Sequence, residues 1–298
     1  MNTAIWLVRR EFWENRAIWL IPAVLGGLLT LAALFGGYHV VGAEDLTTVR
    51  SVVQAGALDG MIMIATTFFI VMAIYSTWYL LDCLYADRKD RSILFWKSMP
   101  ISDTAMVIAK LGTALILIPL VYFAFADLTT LLVAFIISVR ASTSVGGSLW
   151  QGDQWLQIQA LWLYLIGTTA IWYLPIAGWL LAVSAWAKRA VILWALLPPL
   201  ALAVAERVFL GTHVIAGQLA ARIGLGGYAS HALQYTAGAE NWITTEIGQH
   251  GTIETPVSLY RFLNAGGFFS SPATWIGAAV GAALIACAIQ LRIRRTEL

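Results

Sequence analysis

Charged residues are scarce in this sequence of 298 residues, and their scarcity limits the classes of protein it can encode. Asp, Glu, Lys and Arg make up 11% of the chain and hydrophobic residues 60%, whereas soluble domains average about 25% charged and 45–50% apolar residues. So little polar surface cannot cover a water-soluble globule of this size. The composition excludes a soluble enzyme and a disordered protein, and the net charge of +2 is too small to indicate nucleic-acid binding.

The motifs of common active sites are also missing from the sequence. It contains no phosphate-binding P-loop, no H-E-x-x-H zinc motif and no G-x-S-x-G nucleophile turn. The two cysteines, Cys83 and Cys287, stand far apart, and the four histidines are scattered without the spacing of metal ligands. We therefore expect this chain to hold no catalytic residue, metal, cofactor or disulfide.

Long apolar runs are what the sequence has instead. A membrane-spanning helix needs about 20 mostly apolar residues, and six stretches reach that requirement. They lie at about 18–38, 61–81, 105–139, 156–186, 191–205 and 273–291. Splitting the long third stretch at Asp127 would leave two segments too short to span, so we predict one long helix, tilted or kinked at Pro119.

The basic residues predict how these spans are oriented. With the N-terminus in the cytoplasm, 13 of the 18 Lys and Arg residues fall on the cytoplasmic side, as the positive-inside rule requires. The predicted fold class is an all-α membrane protein with six transmembrane helices and both termini cytoplasmic. An interfacial helix at 1–16 precedes a six-span domain at 17–298, which has an inner loop at 82–104 and a large outer loop at 206–271.

The first 16 residues have the pattern of an amphipathic helix. At about 100° per residue, one arc is apolar and carries Ile5, Trp6, Val8, Phe12 and Trp13. The other arc is polar, apart from Leu7, and carries Arg10, Glu11, Glu14 and Asn15. This pattern predicts a helix that lies in the membrane interface before the first span.

Several side chains in the spans are candidates for function. One set in the second span could line a path for an amphiphilic substrate: Thr66, Thr67, Tyr75, Trp78 and Tyr79. Trp and Tyr also mark membrane interfaces, so anchoring and packing are the alternative interpretation. Asp127 is the one carboxylate well inside an apolar run. We expect Thr129, Thr130 or water to satisfy it, and its role to be structural.

Two features near the end of the chain concern packing. Gly277 and Gly281 form a G-x-x-x-G pattern that predicts close approach of another helix, from the same chain or a second one. The outer loop contains an amphipathic stretch at 213–223 and an apolar run at 256–269. The apolar run is predicted either as a re-entrant segment or as a short helix on the outer surface.

The segment 87–103 in the inner loop is the most informative part of the sequence. Charged residues at 87–91 precede four large apolar residues at 93–96. An exposed tip formed by Phe95 and Trp96 is costly unless something covers it. These side chains therefore either rest on the lipid interface or dock a cytoplasmic partner.

With this segment, the chain resembles the permease subunit of type-2 ABC exporters over essentially its whole length. The loop sequence that carries the resemblance, at 85–100, reads Tyr-Ala-Asp-Arg-Lys-Asp-Arg-Ser-Ile-Leu-Phe-Trp-Lys-Ser-Met-Pro. The N-terminal helix, the six spans and Lys110 early in the third span also match. So do the entry to the last span at 269–275 and the arginine-rich tail.

The resemblance implies a transmembrane subunit of an ATP-driven exporter in a bacterial inner membrane. In that family a separate cytoplasmic P-loop ATPase subunit holds ATP and Mg, and two permease chains pair within the membrane lipids as a homo- or heterodimer. The residues that would couple to the ATPase here are Arg88, Lys89, Asp90, Arg91, Phe95 and Trp96. The alternatives are an ion-coupled secondary transporter and a non-transporting membrane partner or sensor protein.

Overall fold

The computed structural model of the chain describes residues 3–36, 46–90, 101–140, 152–233 and 263–294. These residues are helical almost throughout and include no strand, only an isolated bridge between Leu233 and Leu263. The first six helices are α1 (Thr3–Glu14), α2 (Ala17–Phe35), α3 (Leu46–Lys89), α4 (Asp103–Gly112), α5 (Ile118–Arg140) and α6 (Gly152–Trp172). They are followed by α7 (Leu174–Trp186), α8 (Val191–Leu210), α9 (Val214–Ile223), α10 (Leu225–Ala232), α11 (Ala265–Ser270) and α12 (Pro272–Arg294).

Within the described residues, five helices are long and apolar enough to cross a membrane, or six spans if one bent pair counts as a span. The five are Ala17–Phe35, Gly60–Lys89, Asp103–Arg140, Val191–Leu210 and Pro272–Arg294. The bent pair joins Trp155–Trp172 to Leu174–Trp186. These segments coincide with the six predicted stretches, and they indicate a multi-pass membrane protein.

The third span is one continuous helix, as predicted. Between α4 and α5 the helix widens into a π-helical turn at Thr113–Leu117, where the N–H of Ile118 reaches the carbonyl of Thr113. A proline ring clashes with the carbonyl four residues earlier in a regular α-helix. The wider turn lies directly before Pro119 and gives its ring room, so the helix continues through the proline.

The fourth span differs from the single stretch that was predicted at 156–186. It is two helices, α6 and α7, which meet at Tyr173 with a bend of 56°. Pro175 lies in the first turn of α7, where its missing N–H cannot continue the hydrogen bonds of α6. The proline therefore breaks the span, which hydropathy alone does not reveal.

The G-x-x-x-G pattern of the last span packs within this chain. α12 lies against α7, and a Cβ added at Gly281 would stand 2.6 Å from the carbonyl carbon of Leu174. A Cβ added at Gly178 of α7 would stand 2.7 Å from the carbonyl oxygen of Gly281. Glycine at both positions lets the two backbones approach closely beside the break in the fourth span.

The helices place α1 and the last turn of α12 at the same end of the bundle. We call this the basic end; Glu11, Asp87, Lys110 and Arg292 lie there, joined by the ion pairs described below. At the opposite end, Arg140 closes α5 onto α2 by donating to the carbonyls of Ala33 and Leu34 at 3.0 and 2.7 Å.

The predicted inner loop at 82–104 is shorter than expected. α3 remains helical to Lys89, and α4 begins at Asp103, with the Ser102 hydroxyl accepting the N–H of Ala105 at 3.2 Å. Charged residues after Asp82 had suggested a loop in water, but Asp87 and Arg88 are buried among neighbouring helices. Their buried contacts keep α3 regular beyond its apolar part.

The predicted outer loop at 206–271 is also partly helical. α8 continues to Leu210, and the amphipathic stretch forms α9 as expected. Glu206 caps α9 by accepting the N–H groups of Val214 and Ile215, both at 2.7 Å. Half of the apolar run at 256–269, residues 256–262, lies outside the described residues, so its re-entrant or surface position stays a prediction.

Candidate functional site

α1 packs against the bundle with the side that was predicted to be polar. Glu11 is 2% exposed and Leu7 is 5% exposed, whereas Trp6 and Trp13 are 49% and 65% exposed. Leu7 packs against Met106 of α4. Residues Thr3–Glu14 are helical as predicted, and the position of this helix in the membrane interface stays a prediction. Glu11 of its polar arc faces protein because Lys110 and Tyr79 come from other helices, whereas Glu14 is exposed.

Glu11 belongs to a buried ion network at the basic end. Lys110 Nζ lies 3.2 Å from Glu11 Oε1 and 3.3 Å from Asp87 Oδ1. Arg292 Nη1 lies 2.9 Å from Asp87 Oδ2, and its Nε lies 3.0 Å from Asp103 Oδ1. The network therefore joins four helices: α1, α3, α4 and α12.

Further donors complete the shell around Glu11. The Tyr79 hydroxyl donates to Glu11 Oε2 at 2.7 Å, and Asn15 Nδ2 donates to the same oxygen at 3.3 Å. Arg10 Nη2 lies 3.1 Å from Glu11 Oε1. The carboxylates buried or partly buried in the network are Glu11, Asp87 and Asp103, and its cations are Arg10, Lys110 and Arg292. Arg10 also pairs with the exposed Glu14 at 2.9 Å. These pairings offset the large cost of burying each charge alone.

A second contact joins the end of α3 to α7. Arg88 is 4% exposed, and its Nη2 donates to the carbonyls of Ser184 and Ala187 at 2.6 and 2.8 Å. The Ser184 hydroxyl accepts the backbone N–H groups of Leu84 and Tyr85 at 3.1 and 3.0 Å. These bonds hold the last turns of α3 against α7, the second helix of the broken span.

The six predicted coupling residues occupy different environments. Arg88 is turned into the bundle, while Lys89 and Asp90 are exposed where α3 ends. The other three, Arg91, Phe95 and Trp96, lie outside the described residues, so their contact with a partner stays a prediction. The guanidinium of Arg88 binds α7 of the same chain, and its coupling role stays a prediction.

The five residues proposed for a substrate path do not share one surface. Tyr79 is buried in the ion network. The ring of Tyr75 stacks on that of Tyr122 with centroids 6.3 Å apart. Trp78 is 60% exposed, Thr66 is exposed, and Thr67 is partly buried. The structure therefore distributes these side chains around α3 instead of gathering them.

The ion network holds the helices on both sides of the segment 91–100. Asp87 lies just before the segment 91–100 and Asp103 just after it, and both bind the same guanidinium of Arg292. The paired charges hold both flanks of the segment 91–100 against the last span.

Among the described residues, no three His, Cys, Asp or Glu side chains are placed to hold a metal ion.

The opposite end of the bundle has its own polar contact at the break in the fourth span. The Arg222 guanidinium lies 3.9 Å from the ring centroid of Trp172 and donates to the carbonyls of Trp172 and Ala273. The Tyr228 hydroxyl bonds that of Thr168 at 2.6 Å. Burial lowers the pKa of Arg222 and raises that of Tyr228. Through the contacts described above, Arg222 anchors α9 to the spans and Tyr228 anchors α10 to them.

Sequence analysis did not identify the ion network. Lys110 inside an apolar run was a usable signal, but Asp87 and Arg292 are 205 positions apart, and no spacing rule pairs them. Comparisons of the chain with protein-family models, with curated proteins and with solved structures find no match. Its function therefore has to be inferred from its own residues and contacts.

Proposed function

We propose that this chain is the membrane-spanning permease subunit of an ATP-driven exporter, with ATP hydrolysed on separate cytoplasmic subunits. The observation that carries the proposal is the shared binding of Asp87 and Asp103 by Arg292. Because these carboxylates flank the segment 91–100, a displacement of that segment acts on the second, third and last spans together.

The other contacts at the basic end extend this coupling. Lys110 binds Glu11 and so joins α1 to the third span, while Arg88 joins α3 to α7. Breaking a buried ion pair by removing one partner costs about 3–5 kcal/mol. These helices therefore move together. When packed helices move together, a displacement at one point rearranges the spans.

The resemblance to type-2 ABC permeases supports the same function. In the proposed assembly, a P-loop ATPase with its ATP and Mg docks on Phe95 and Trp96, and the exposed Lys89 and Asp90 lie at the rim with Arg91. Arg88 holds the helix from inside. A second permease chain, identical or not, completes the export path across the membrane.

In this proposal, the basic end faces the cytoplasm across a bacterial inner membrane. Single cysteines introduced by Ser98→Cys and Thr245→Cys, in a chain lacking Cys83 and Cys287, should react with an impermeant maleimide from opposite sides. Ser98 should react only in inverted vesicles and Thr245 only in intact cells, because the basic residues fix the orientation. Labelling of both from one side would contradict the orientation.

The docking role of the segment predicts a large effect of its aromatic side chains. Truncating a buried aromatic at an interface costs about 2 kcal/mol or more, which is roughly thirtyfold in affinity. The Phe95→Ala/Trp96→Ala double variant should therefore lose the ATPase in pull-downs and lose ATP hydrolysis. Arg91→Ala is the matched control in the same segment and should be mild, since an exposed rim charge contributes little.

Equal amounts of each variant in the membrane are needed for this comparison. No spanning helix is changed by the double substitution, so insertion should be unaffected. A double variant that retains the full complex and full hydrolysis would show that the segment does not dock the ATPase.

A further inference from the structure

A recess lined by Asp127, Thr130 and Gln159 among apolar side chains lies between the second, third and fourth spans, far from the ion network. Asp127 of α5 lies about 25 Å along the helix from Lys110 at the usual rise. Behind its open mouth the recess has room for about one water-sized group, far less than the roughly 300–1,000 Å³ of sites that enclose a drug-sized molecule. It therefore admits a primary ammonium group, which is about the size of a water molecule, and not a whole amphiphile.

The polar groups of the recess present acceptors to an incoming ligand. Asp127 Oδ1 accepts Trp155 Nε1 at 3.0 Å and Gln159 Nε2 at 2.6 Å. Gln159 Oε1 is buried and has no hydrogen-bond partner among the described residues. The hydroxyls of Thr129 and Thr130, expected to satisfy Asp127, donate instead to carbonyls of their own helix.

No described side chain neutralises this carboxylate. Asp127 forms none of the ion pairs found among the described residues, although it lies in a spanning helix. An ionised carboxylate in a membrane is costly without a partner. A cation with N–H donors would supply the opposite charge that the described side chains do not.

The walls of the recess are aromatic and apolar. Phe123, Trp155 and Trp162 line it, and the rings of Phe123 and Trp162 have centroids 5.7 Å apart. Indole and phenyl faces attract ammonium groups within about 6 Å. Beside the recess, Leu128 and Leu156 are 51% and 56% exposed, which leaves an apolar surface for an alkyl chain.

We propose that this recess binds the cationic head group of an amphiphile, with a protonated amine at Asp127 and an alkyl chain along the outer faces of α5 and α6. Identifying that amphiphile as the exported substrate rests on the function proposed above, whereas the binding itself does not. The carboxylate supplies the charge, the aromatic faces supply cation–π contacts, and the Gln159 carbonyl accepts a further N–H.

The test uses the purified full chain in neutral maltoside micelles, without any ATPase. A reporter cysteine is introduced at the recess by Thr130→Cys in a background lacking Cys83 and Cys287. Its reaction with uncharged N-ethylmaleimide is followed by mass spectrometry against increasing dodecylammonium, the probe, or dodecanol, which has the same tail without the charge. Ile108→Cys, at the other end of the same span, is the control reporter, because Ile108 is exposed and lies about 33 Å along the helix from Thr130, beyond the reach of a twelve-carbon chain.

Dodecylammonium should protect the reporter at Thr130 and leave the one at Ile108 reactive, and dodecanol should protect neither. Adding Asp127→Asn should raise the half-protecting concentration about tenfold or more, because a hydrogen bond to a charged group is worth more than one to a neutral group. Asparagine keeps an acceptor for Trp155 and Gln159, so the local fold should persist. Asp127→Glu, which keeps the charge, should retain most of the protection.

Equal protection by dodecanol and dodecylammonium, or none by either, would overturn the cation site even if the Asn variant failed to fold. This result is independent of the exporter assignment. Protection by dodecylammonium in a chain that never binds an ATPase would leave the site standing and refute the exporter. An ATPase complex that forms while dodecylammonium gives no protection would support the exporter and overturn the cation site.

Discussion

The Asp87→Ala variant is expected to lose most of its folded population. Asp87 is 7% exposed and binds Lys110 and Arg292 at 3.3 and 2.9 Å. Its removal leaves two buried cations with one fewer carboxylate between them. Breaking a buried pair in this way costs about 3–5 kcal/mol. The loss of folded protein should exceed that caused by substituting any single exposed residue, because Asp87 binds two cations at once.

Asp90→Ala on the same helix is the matched control. Asp90 is exposed, and exposed charges contribute little to stability. Thermal unfolding followed by size-exclusion chromatography of both variants, in the same detergent, measures the difference. The midpoint should fall by many degrees for Asp87→Ala and by little for Asp90→Ala. Equal midpoints would mean that the ion network does not hold the basic end together.

The second large effect is expected at Gly281. A Cβ there would lie 2.6 and 2.8 Å from the carbonyl carbon and oxygen of Leu174, which is backbone that cannot rotate away. Forcing extra volume into a packed core typically costs about 1–3 kcal/mol. Gly281→Leu must separate α12 from α7. We therefore expect at least that loss of stability and a reduced yield of folded protein.

Gly27→Leu is the control for this substitution. Gly27 also lies in a spanning helix, but it is exposed and no atom lies within 4 Å of the position of an added Cβ. Detergent-solubilised chains carrying either leucine should differ sharply in heat resistance, with Gly27→Leu near the unaltered chain. A Gly281→Leu chain as stable as that control would show that α7 and α12 can separate without cost.

The spans were predictable from the sequence because hydrocarbon imposes a length and a composition on every helix that crosses it. This is why the third stretch could be assigned to one helix despite Pro119. The break at Tyr173 was missed because hydropathy is insensitive to backbone continuity. Pro175 was the available signal, but a proline in a spanning segment can equally be accommodated, as Pro119 shows.

The ion network was not predictable for a different reason. Glu11 was assigned to the polar side of α1 because amphipathic patterns treat a carboxylate as exposed. A buried carboxylate requires cations that only the tertiary fold supplies, and Lys110 and Arg292 come from two distant helices. The partners of Asp127 were missed likewise, since Trp155 and Gln159 belong to the next span.

Isolation of the unaltered chain from its native membrane in mild detergent tests the proposed function most directly. An affinity-tagged chain should bring with it a protein that contains a P-loop, and the isolated assembly should hydrolyse ATP in the presence of Mg. If the chain instead comes alone, and vesicles containing it transport only when an ion gradient is imposed, the exporter assignment is contradicted and a secondary transporter takes its place.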